Sequence, residues 1–344
     1  MIRMKVRLID VAKKAGVSIA TVSIVLNDPD TPRITQKTKD KVKAVVKELK
    51  YVPNAAARSL VTNKSRTIGL IIPDIENPFF STLAKIIEQR CRAEKFVMIM
   101  MNTLEDHKND PGIIRSLRQR SVDGIIIAPS SQTFNDDKEI KEVLNNLDVP
   151  FVLVDRMLHD FPVNQVYFNN KTGEYLATKY LIENGHRKIG FISTQNYAMT
   201  GFYRHLGYLK AIEEAGIPVN ESYIKHGDYT TETGYQFAKE LYESGVTAIA
   251  CANDMIAFGV RKRLVEMGVR VPEDVSLVGY DNLNLNDYLD RGLSSVDQDI
   301  TKMAHHAVDI LMNALEGNEE IVEVMLEPTL KIRNSVKNMH QGAL

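Results

Sequence analysis

Carboxylates, amides and aromatic rings recur in this chain just after short apolar runs, and their types suit recognition of a hydroxyl-rich ligand. The run Ile68-Gly69-Leu70-Ile71-Ile72-Pro73 leads into Asp74-Ile75-Glu76-Asn77-Pro78-Phe79-Phe80. Asp155-Arg156 follows the apolar run 151–154, Asn253-Asp254 follows 248–251, and Tyr280-Asp281-Asn282 follows 275–279. A hydroxyl both donates and accepts, so carboxylates, amides and an arginine gathered in one cleft can fix each hydroxyl of a ligand. Phe79, Phe80 and Tyr229 can stack on the apolar faces of a sugar ring. Capping is the plainer role, since Asp and Asn at strand ends often start the next helix, as Asn253-Asp254 before Met255 could.

Such positions must be carried by strands that end together. The runs 68–73, 97–101, 124–128 and 151–154 read as buried parallel strands, and a second set follows at 188–192, 248–251 and 275–279. Stretches 79–93, 173–184, 203–215, 233–244 and 254–267 read as the helices between them. Two βα repeats side by side predict two doubly wound subdomains, whose ligands lie outside the carboxyl ends of the strands. The polar motifs fall at those ends. The segment 293–298 is expected to cross back into the first subdomain.

The N-terminal part carries different chemistry. Residues 1–65 hold 14 Lys+Arg against five Asp+Glu, a charge of +9, while the remaining 279 residues sum to −10. A basic head on an acidic body points to a polyanion partner for the head alone, although a solvated lysine-rich helical face would also account for it. Leu8, Val11, Ala12 and Ala15 recur at helical spacing until Gly16, Ser18 can cap a second helix through Val25 or Leu26, and a third runs from about Thr35 to Leu49. Two short helices joined by a glycine turn, with a third closing the core, make a helix-turn-helix. On the second helix Val22, Val25 and Leu26 face inward, while Ile19, Ala20, Ser23 and Ile24 face outward with Thr21 at the border. Two outward isoleucines suit the thymine methyl groups of a DNA major groove, and Ser18, Thr21, Ser23 and Asn27 can reach phosphate oxygens.

The run Ile9-Asp10-Val11-Ala12-Lys13-Lys14-Ala15-Gly16-Val17-Ser18-Ile19-Ala20-Thr21-Val22-Ser23 resembles the N-terminal signature of the LacI/GalR family of bacterial transcription regulators. Tyr51-Val52-Pro53-Asn54-Ala55-Ala56-Ala57-Arg58-Ser59-Leu60 resembles that family's hinge helix. The resemblance implies an α/β architecture: a helix-turn-helix head at 1–50, a hinge and linker at 51–65, and a periplasmic-binding-protein-like body of two doubly wound parallel-sheet subdomains. These would be 66–167 with 297–333, then 168–296, leaving a tail at 334–344. It implies that hinge helices meet in the minor groove, where Leu60 wedges between base steps, Ala57 allows close approach and Arg58 reaches the backbone. Tyr51 and Asn54 belong to the same expected DNA contacts. In the body, it places Asp155, Arg204, Tyr229, Asn253, Asp281 and Gln298 where family members contact a small effector; Asp74, Phe79 and Phe80 join them from the first strand end. Where most members have Arg or His, this chain has Ile24, which offers no bidentate hydrogen bond to guanine, so its operator is expected to differ from the family's usual half-site.

Other functions find little support. The longest apolar runs are far below the roughly 20 residues of a membrane span. Residues 1–7 are basic without the apolar stretch of a signal peptide, so a cytoplasmic protein is expected. Cys91 and Cys251 are too few for a disulfide framework or a cysteine zinc site, and His305-His306 reads as helix surface. No G-x-G-x-x-G after a strand, G-x-x-x-x-G-K-[ST], G-x-S-x-G or H-E-x-x-H occurs, so no enzyme, cofactor or metal is expected. An exported sugar-binding protein would not need the basic head. The expectation is a regulator, most simply a repressor, that binds double-stranded operator DNA as a homodimer and responds to a small-molecule effector, a sugar by the polar set. A purine, or a phosphorylated partner protein, is the alternative effector within the family. The tail lacks leucine heptads that would join dimers into tetramers.

Overall fold

Gly16 sets the geometry of the N-terminal unit. At φ 62° it ends helix α1 (Leu8–Ala15) in the left-handed conformation that a residue with a Cβ adopts at a cost. The chain then restarts at Ser18, whose Oγ accepts the Thr21 N–H at 3.0 Å and so caps α2 (Ile19–Asn27). Helix α3 (Gln36–Glu48) is capped by Thr35 in the same way. Val11, Ala12, Ala15, Val22, Val25, Val42 and Val45 form the small core. The computed structural model describes residues 6–28, 30–52, 64–158, 160–194 and 198–342, and its contacts divide the chain into a head, 1–65, and a body, 66–344.

The body holds two six-stranded sheets among its described residues. The first has the order β11-β5-β4-β3-β1-β2, all parallel, with β1 Thr67–Ile72, β2 Val97–Asn102, β3 Gly124–Ile127, β4 Phe151–Val154, β5 Gln165–Phe168 and β11 Glu323–Leu326. The second has the order β12-β10-β9-β8-β6-β7, built from β6 Ile189–Thr194, β7 Ile224–Gly227, β8 Ala248–Cys251, β9 Ser276–Tyr280, β10 Ser294–Asp297 and β12 Thr329–Lys331. Only β12 runs antiparallel to its neighbour. Helices α4 (Pro78–Ala93), α5 (Asn109–Gln119), α6 (Lys138–Asn145) and α11 (Ile300–Leu315) belong with the first sheet. Helices α7 (Asn170–Glu183), α8 (Met199–Glu214), α9 (Thr231–Glu243) and α10 (Asp254–Glu266) cover the second.

The late crossings differ from the sequence expectation. Segment 294–297 does not enter the first subdomain; it is β10, parallel to β9 with Ser294 opposite Val278, and this crossing comes later, between Asp297 and Ile300. Residues 329–333, expected in the first subdomain, lie with the second, and the tail joins them. Strand β12 covers the edge that β10 would otherwise leave open, the Ser335 hydroxyl donates to the Leu277 carbonyl at 2.6 Å, and the Met339 N–H donates to the Asn184 carbonyl at 2.8 Å. An unpaired sheet edge exposes backbone donors and acceptors, and this return satisfies them.

Candidate ligand cleft and DNA-reading face

Two helix pairs aim most of the polar side chains of the second lobe. Helices α9 and α10 touch backbone to backbone: a Cβ at Gly259 would lie 1.8 Å from the Thr231 carbonyl, and one at Gly234 would lie 1.9 Å from that of Ile256. Their N-termini follow Tyr229-Thr230 and Asn253, so this packing fixes the distance between two site residues. Helices α7 and α8 approach as closely at Gly207, 2.3 Å from the Lys171 carbonyl, and this brings Asn170 to Arg204.

Asn77, Phe79, Phe80, Asp155, Arg156, Thr200, Arg204, Tyr229, Asn253, Asp281 and Gln298 converge on an inner crevice with about 20 Å³ of open volume, room for roughly one water. Eight of the nine body positions expected from sequence are in that set. The ninth, Asp74, lines an adjoining outer chamber of about 620 Å³, which shares Asn77 and Tyr229 with the crevice.

Arg204 is buried and thoroughly engaged. Its Nε donates to Asn170 Oδ1 at 2.9 Å, a terminal nitrogen donates to the Ala252 carbonyl, and its guanidinium lies 3.7 Å from the Tyr280 ring centroid. Asp281 is its acidic neighbour at 3.8 Å. Burial pushes the Asp281 carboxyl well above its ordinary range, against the pull of Arg204, and burial likewise raises Asp155 against Arg156 and Arg204. Both aspartates hold positive φ, 65° at Asp155 and 97° at Asp281, a strained backbone of the kind that accumulates at ligand sites. Arg156 makes a bidentate pair with Glu105 at 2.8 and 3.0 Å and donates to the Pro129 carbonyl. Glu105 is half-buried, and that desolvation alone would raise its pKa, but the charge and hydrogen bonds of Arg156 hold it below the usual carboxylate range.

The remaining positions divide by role. Asn253 Oδ1 accepts the Ile256 N–H at 2.9 Å, so the capping role is realised, while its amide donates to the Tyr229 carbonyl at 3.4 Å. The Tyr229 hydroxyl meets Thr200 Oγ1 at 2.6 Å. Phe79 and Phe80 form an edge-to-face pair at 5.1 Å and bury most of their surface in the first-lobe core. Asp74 accepts the Glu76 N–H at 2.9 Å. Gln298 stands apart: it is 2% exposed, and neither its Oε1 nor its Nε2 has a hydrogen-bond partner. Sequence reasoning left Asn77, Glu105, Arg156 and Thr200 outside the site. Arg156 adjoins Asp155 at a strand end and Asn77 sits within the first motif, so both carried a signal; Thr200 and Glu105 carried none.

In the head, Ile19 and Ile24 are 45% and 37% exposed, Ala20 and Asn27 are exposed beside them, and Ser23 is half-buried. The Ser18 and Thr21 hydroxyls bond each other at 2.9 Å, and Asn27 donates to Ser23 Oγ at 3.2 Å. Tyr51 packs against the head core. Asn54, Ala57, Arg58 and Leu60 lie outside the described residues.

Residues 65–337 match the family model described as periplasmic binding proteins and sugar binding domain of LacI family, and residues 7–54 match that of bacterial regulatory proteins, lacI family. The chain belongs to the LacI family. That membership makes it a DNA-binding transcriptional regulator with an effector-binding body. Among its relatives is the HTH-type transcriptional repressor PurR of Vibrio parahaemolyticus, 36% identical over 335 residues that cover 96% of this chain and 98% of the relative. The solved lac repressor dimer bound to operator and the anti-inducer ONPF is similar with a TM-score of 0.87 and 26% identity, covering 97% of this chain and all of that one. A LacI family regulator from Enterococcus faecium with bound ribose has a TM-score of 0.72 and 30% identity, covering 79% of this chain and 99% of its own. No helix among the described residues is long and apolar enough to cross a membrane.

Proposed function

We propose that this LacI family member is a cytoplasmic, non-enzymatic repressor that binds a near-palindromic operator as a homodimer and changes its operator affinity when a sugar enters the body cleft. The observation that carries the effector reading is Gln298. A buried amide without partners is unfavourable by about 1–3 kcal/mol, and a ligand hydroxyl that accepts from Nε2 and donates to Oε1 removes that penalty. Asp155, Arg204, Tyr229, Asn253 and Asp281 supply further donors and acceptors around the same point, with Asp74, Phe79 and Phe80 at its margin.

The α2 face with Ser18, Ile19, Ala20, Thr21, Ser23, Ile24 and Asn27 reads the major groove, and the segment with Tyr51, Asn54, Ala57, Arg58 and Leu60 contacts the minor groove. Effector and operator are then linked, each changing the other's affinity by the same factor.

Thermal unfolding of the full chain against sugars, sugar phosphates and purine bases tests the reading. A ligand at 100 times its Kd stabilises the body by about 2.7 kcal/mol, which raises Tm by several degrees. A sugar that shifts Tm and alters binding to the operator supports the proposal. A response to purine bases alone replaces the sugar with the alternative effector.

A further inference from the structure

Two of the chain crossings between the lobes share one geometry, and a side chain ties one of them to the cleft. The chain passes from β5 to α7 at Phe168-Asn169-Asn170 and from β10 to α11 at Gln298-Asp299-Ile300. In both, the middle residue caps the helix that follows: Asn169 Oδ1 accepts the Thr172 N–H at 3.1 Å, and Asp299 Oδ1 accepts the Lys302 N–H at 2.9 Å. Their backbones nearly coincide, with φ −72° and ψ 79° at Asn169 and φ −65° and ψ 81° at Asp299, close to the inverse γ-turn common at strand ends. A change of lobe angle is absorbed by a few such residues between elements. Asn169 also meets the return crossing from β11 to β12. Its N–H donates to the Leu326 carbonyl at 2.9 Å and its Nδ2 to Glu327 Oε1 at 3.0 Å.

Asn170 stands directly after the first of these pivots, is 3% exposed, and uses both ends of its amide. Its Nδ2 donates at 3.1 Å to the carbonyl of Phe168, the last residue of a first-lobe strand. Its Oδ1 accepts from Arg204 Nε at 2.9 Å and from the Tyr280 hydroxyl at 3.4 Å, both second-lobe groups. This orientation is forced, because a carbonyl only accepts and a guanidinium only donates. We propose that Asn170 is a positioning residue that links Arg204 to the pivot at Asn169, so that a ligand acting on Arg204 also acts on the angle between the lobes. The link goes beyond the sugar reading, since it holds for any occupant of the crevice. Helix α7 does not need this side chain for its cap, which Asn169 supplies, and Asp281 already faces the Arg204 charge at 3.8 Å. What the amide adds is a path of two hydrogen bonds from the cleft guanidinium to the first-lobe strand end.

Asn170→Asp isolates that path. The new carboxylate still accepts from Arg204 and Tyr280, but it has no donor for the Phe168 carbonyl, so two acceptors face each other. Losing a buried pairing in this way should make the present lobe arrangement less populated by roughly 10- to 100-fold relative to others. The test needs no ligand. Spin labels at Glu139→Cys on α6 and Lys239→Cys on α9, both exposed positions, report lobe separation in the full chain by pulsed electron resonance. Cys91 and Cys251 are buried and do not take the label. Co-expression with an excess of unlabelled chain leaves one labelled subunit in each dimer. The parent is expected to give one dominant separation, and Asn170→Asp a second one beside it. Arg204→Lys keeps the charge but removes the fixed Nε donor, breaking the path at its other end. It should give the same second separation, and the double variant should add little to either. An Asn170→Asp chain with the separations of the parent, whatever its Tm, overturns the proposal and leaves Asn170 a packing residue. Effects of the two substitutions that simply add also overturn it, because Arg204 and Asn170 then reach the lobe angle by separate routes. If Arg204→Lys does not fold, Asn170→Asp decides alone. Either failure leaves the sugar reading standing, because no sugar enters the experiment.

Discussion

Gln298 and Arg204 line the same crevice, but replacing them should have opposite effects on stability. Gln298 leaves two buried polar atoms unpaired, so Gln298→Leu should keep or raise Tm while weakening the effector by about 10- to 100-fold, the worth of one or two hydrogen bonds to a ligand. A fall of Tm by several degrees with affinity intact would show the amide to be a packing residue. Arg204→Ala strips Asp281 and Asn170 of a buried partner and should destabilise the body by about 3–5 kcal/mol, so loss of response there does not by itself report ligand contact. Glu174, fully buried on α7, gives a pH test. Burial raises its carboxyl to about 8, with Arg204 and Thr178 opposing. Between its ordinary value and that one, the native state holds a proton that the unfolded state has released, so body stability falls as pH rises across the window. Glu174→Gln should therefore gain in unfolding free energy over the parent at pH 8.5 relative to pH 5.5, by an amount on the order of a few kcal/mol, read from denaturant unfolding at the two pH values; a constant difference would show that Glu174 does not titrate there. Polar residues after successive apolar runs, read together with the LacI/GalR resemblance that singled out Arg204, Tyr229 and Gln298, made most of the crevice legible, because strands of a parallel sheet end together and gather such residues at one edge. Thr200 and Glu105 were not legible, since they reach the cleft from a helix start and a loop where nothing in the local pattern marks them.

At the scale of elements, the site is only as well aimed as the helix pairs behind it. Gly259 and Gly234 let α9 and α10 meet at backbone distance, and the two helices begin beside Tyr229 and Asn253. A methyl group at 259 would collide with the Thr231 carbonyl, which has no flexible side-chain end to yield. Gly259→Ala should cost about 1–3 kcal/mol or more and weaken effector binding as well, by parting two site residues; calorimetric unfolding and ligand titration on one preparation check both. If affinity stays unchanged after such destabilisation, the pair is scaffold only. Strands β1, β3, β4, β6, β8 and β9 could be read in advance because they are nearly continuous apolar runs covered on both faces. Strands β5, β7, β11 and β12 are no shorter than several of these, but polar residues break their apolar runs: Gln165 in β5, Lys225 and His226 in β7, Glu323 in β11, and Thr329 and Lys331 in β12. For β10, Ser294-Ser295-Val296-Asp297 carries polar groups that are buried because other parts of the chain satisfy them: Ser295 donates to Asp254 at 2.7 Å, and Ser294 accepts the Arg333 N–H at 2.9 Å. Such strands are specified by tertiary partners, which a local pattern does not contain.

In the proposed mechanism the body acts through the relation of its two lobes, and among the described residues an aromatic contact spans them. Phe134, in the turn Ser131–Phe134 after β3, meets Phe202 on α8 with ring centroids 5.9 Å apart. Phe202 is still 36% exposed, so Phe202→Ala should disturb folding little. It removes an attraction between lobes of about 0.5–1.5 kcal/mol, which makes the closed body less populated by roughly 2- to 12-fold and lowers the affinity of any ligand that both lobes must grip. Linkage extends the consequence to DNA. An effector that favours the closed body and a variant that favours the open one push the same equilibrium in opposite directions. Whether the effector releases the operator or tightens it, Phe202→Ala without effector should move operator affinity the other way. Fluorescence anisotropy of labelled operator, read for the parent with and without effector and for the variant without it, gives the three affinities needed. A variant that moves operator affinity in the same direction as the effector would mean that lobe closure is not the coordinate joining the cleft to the DNA.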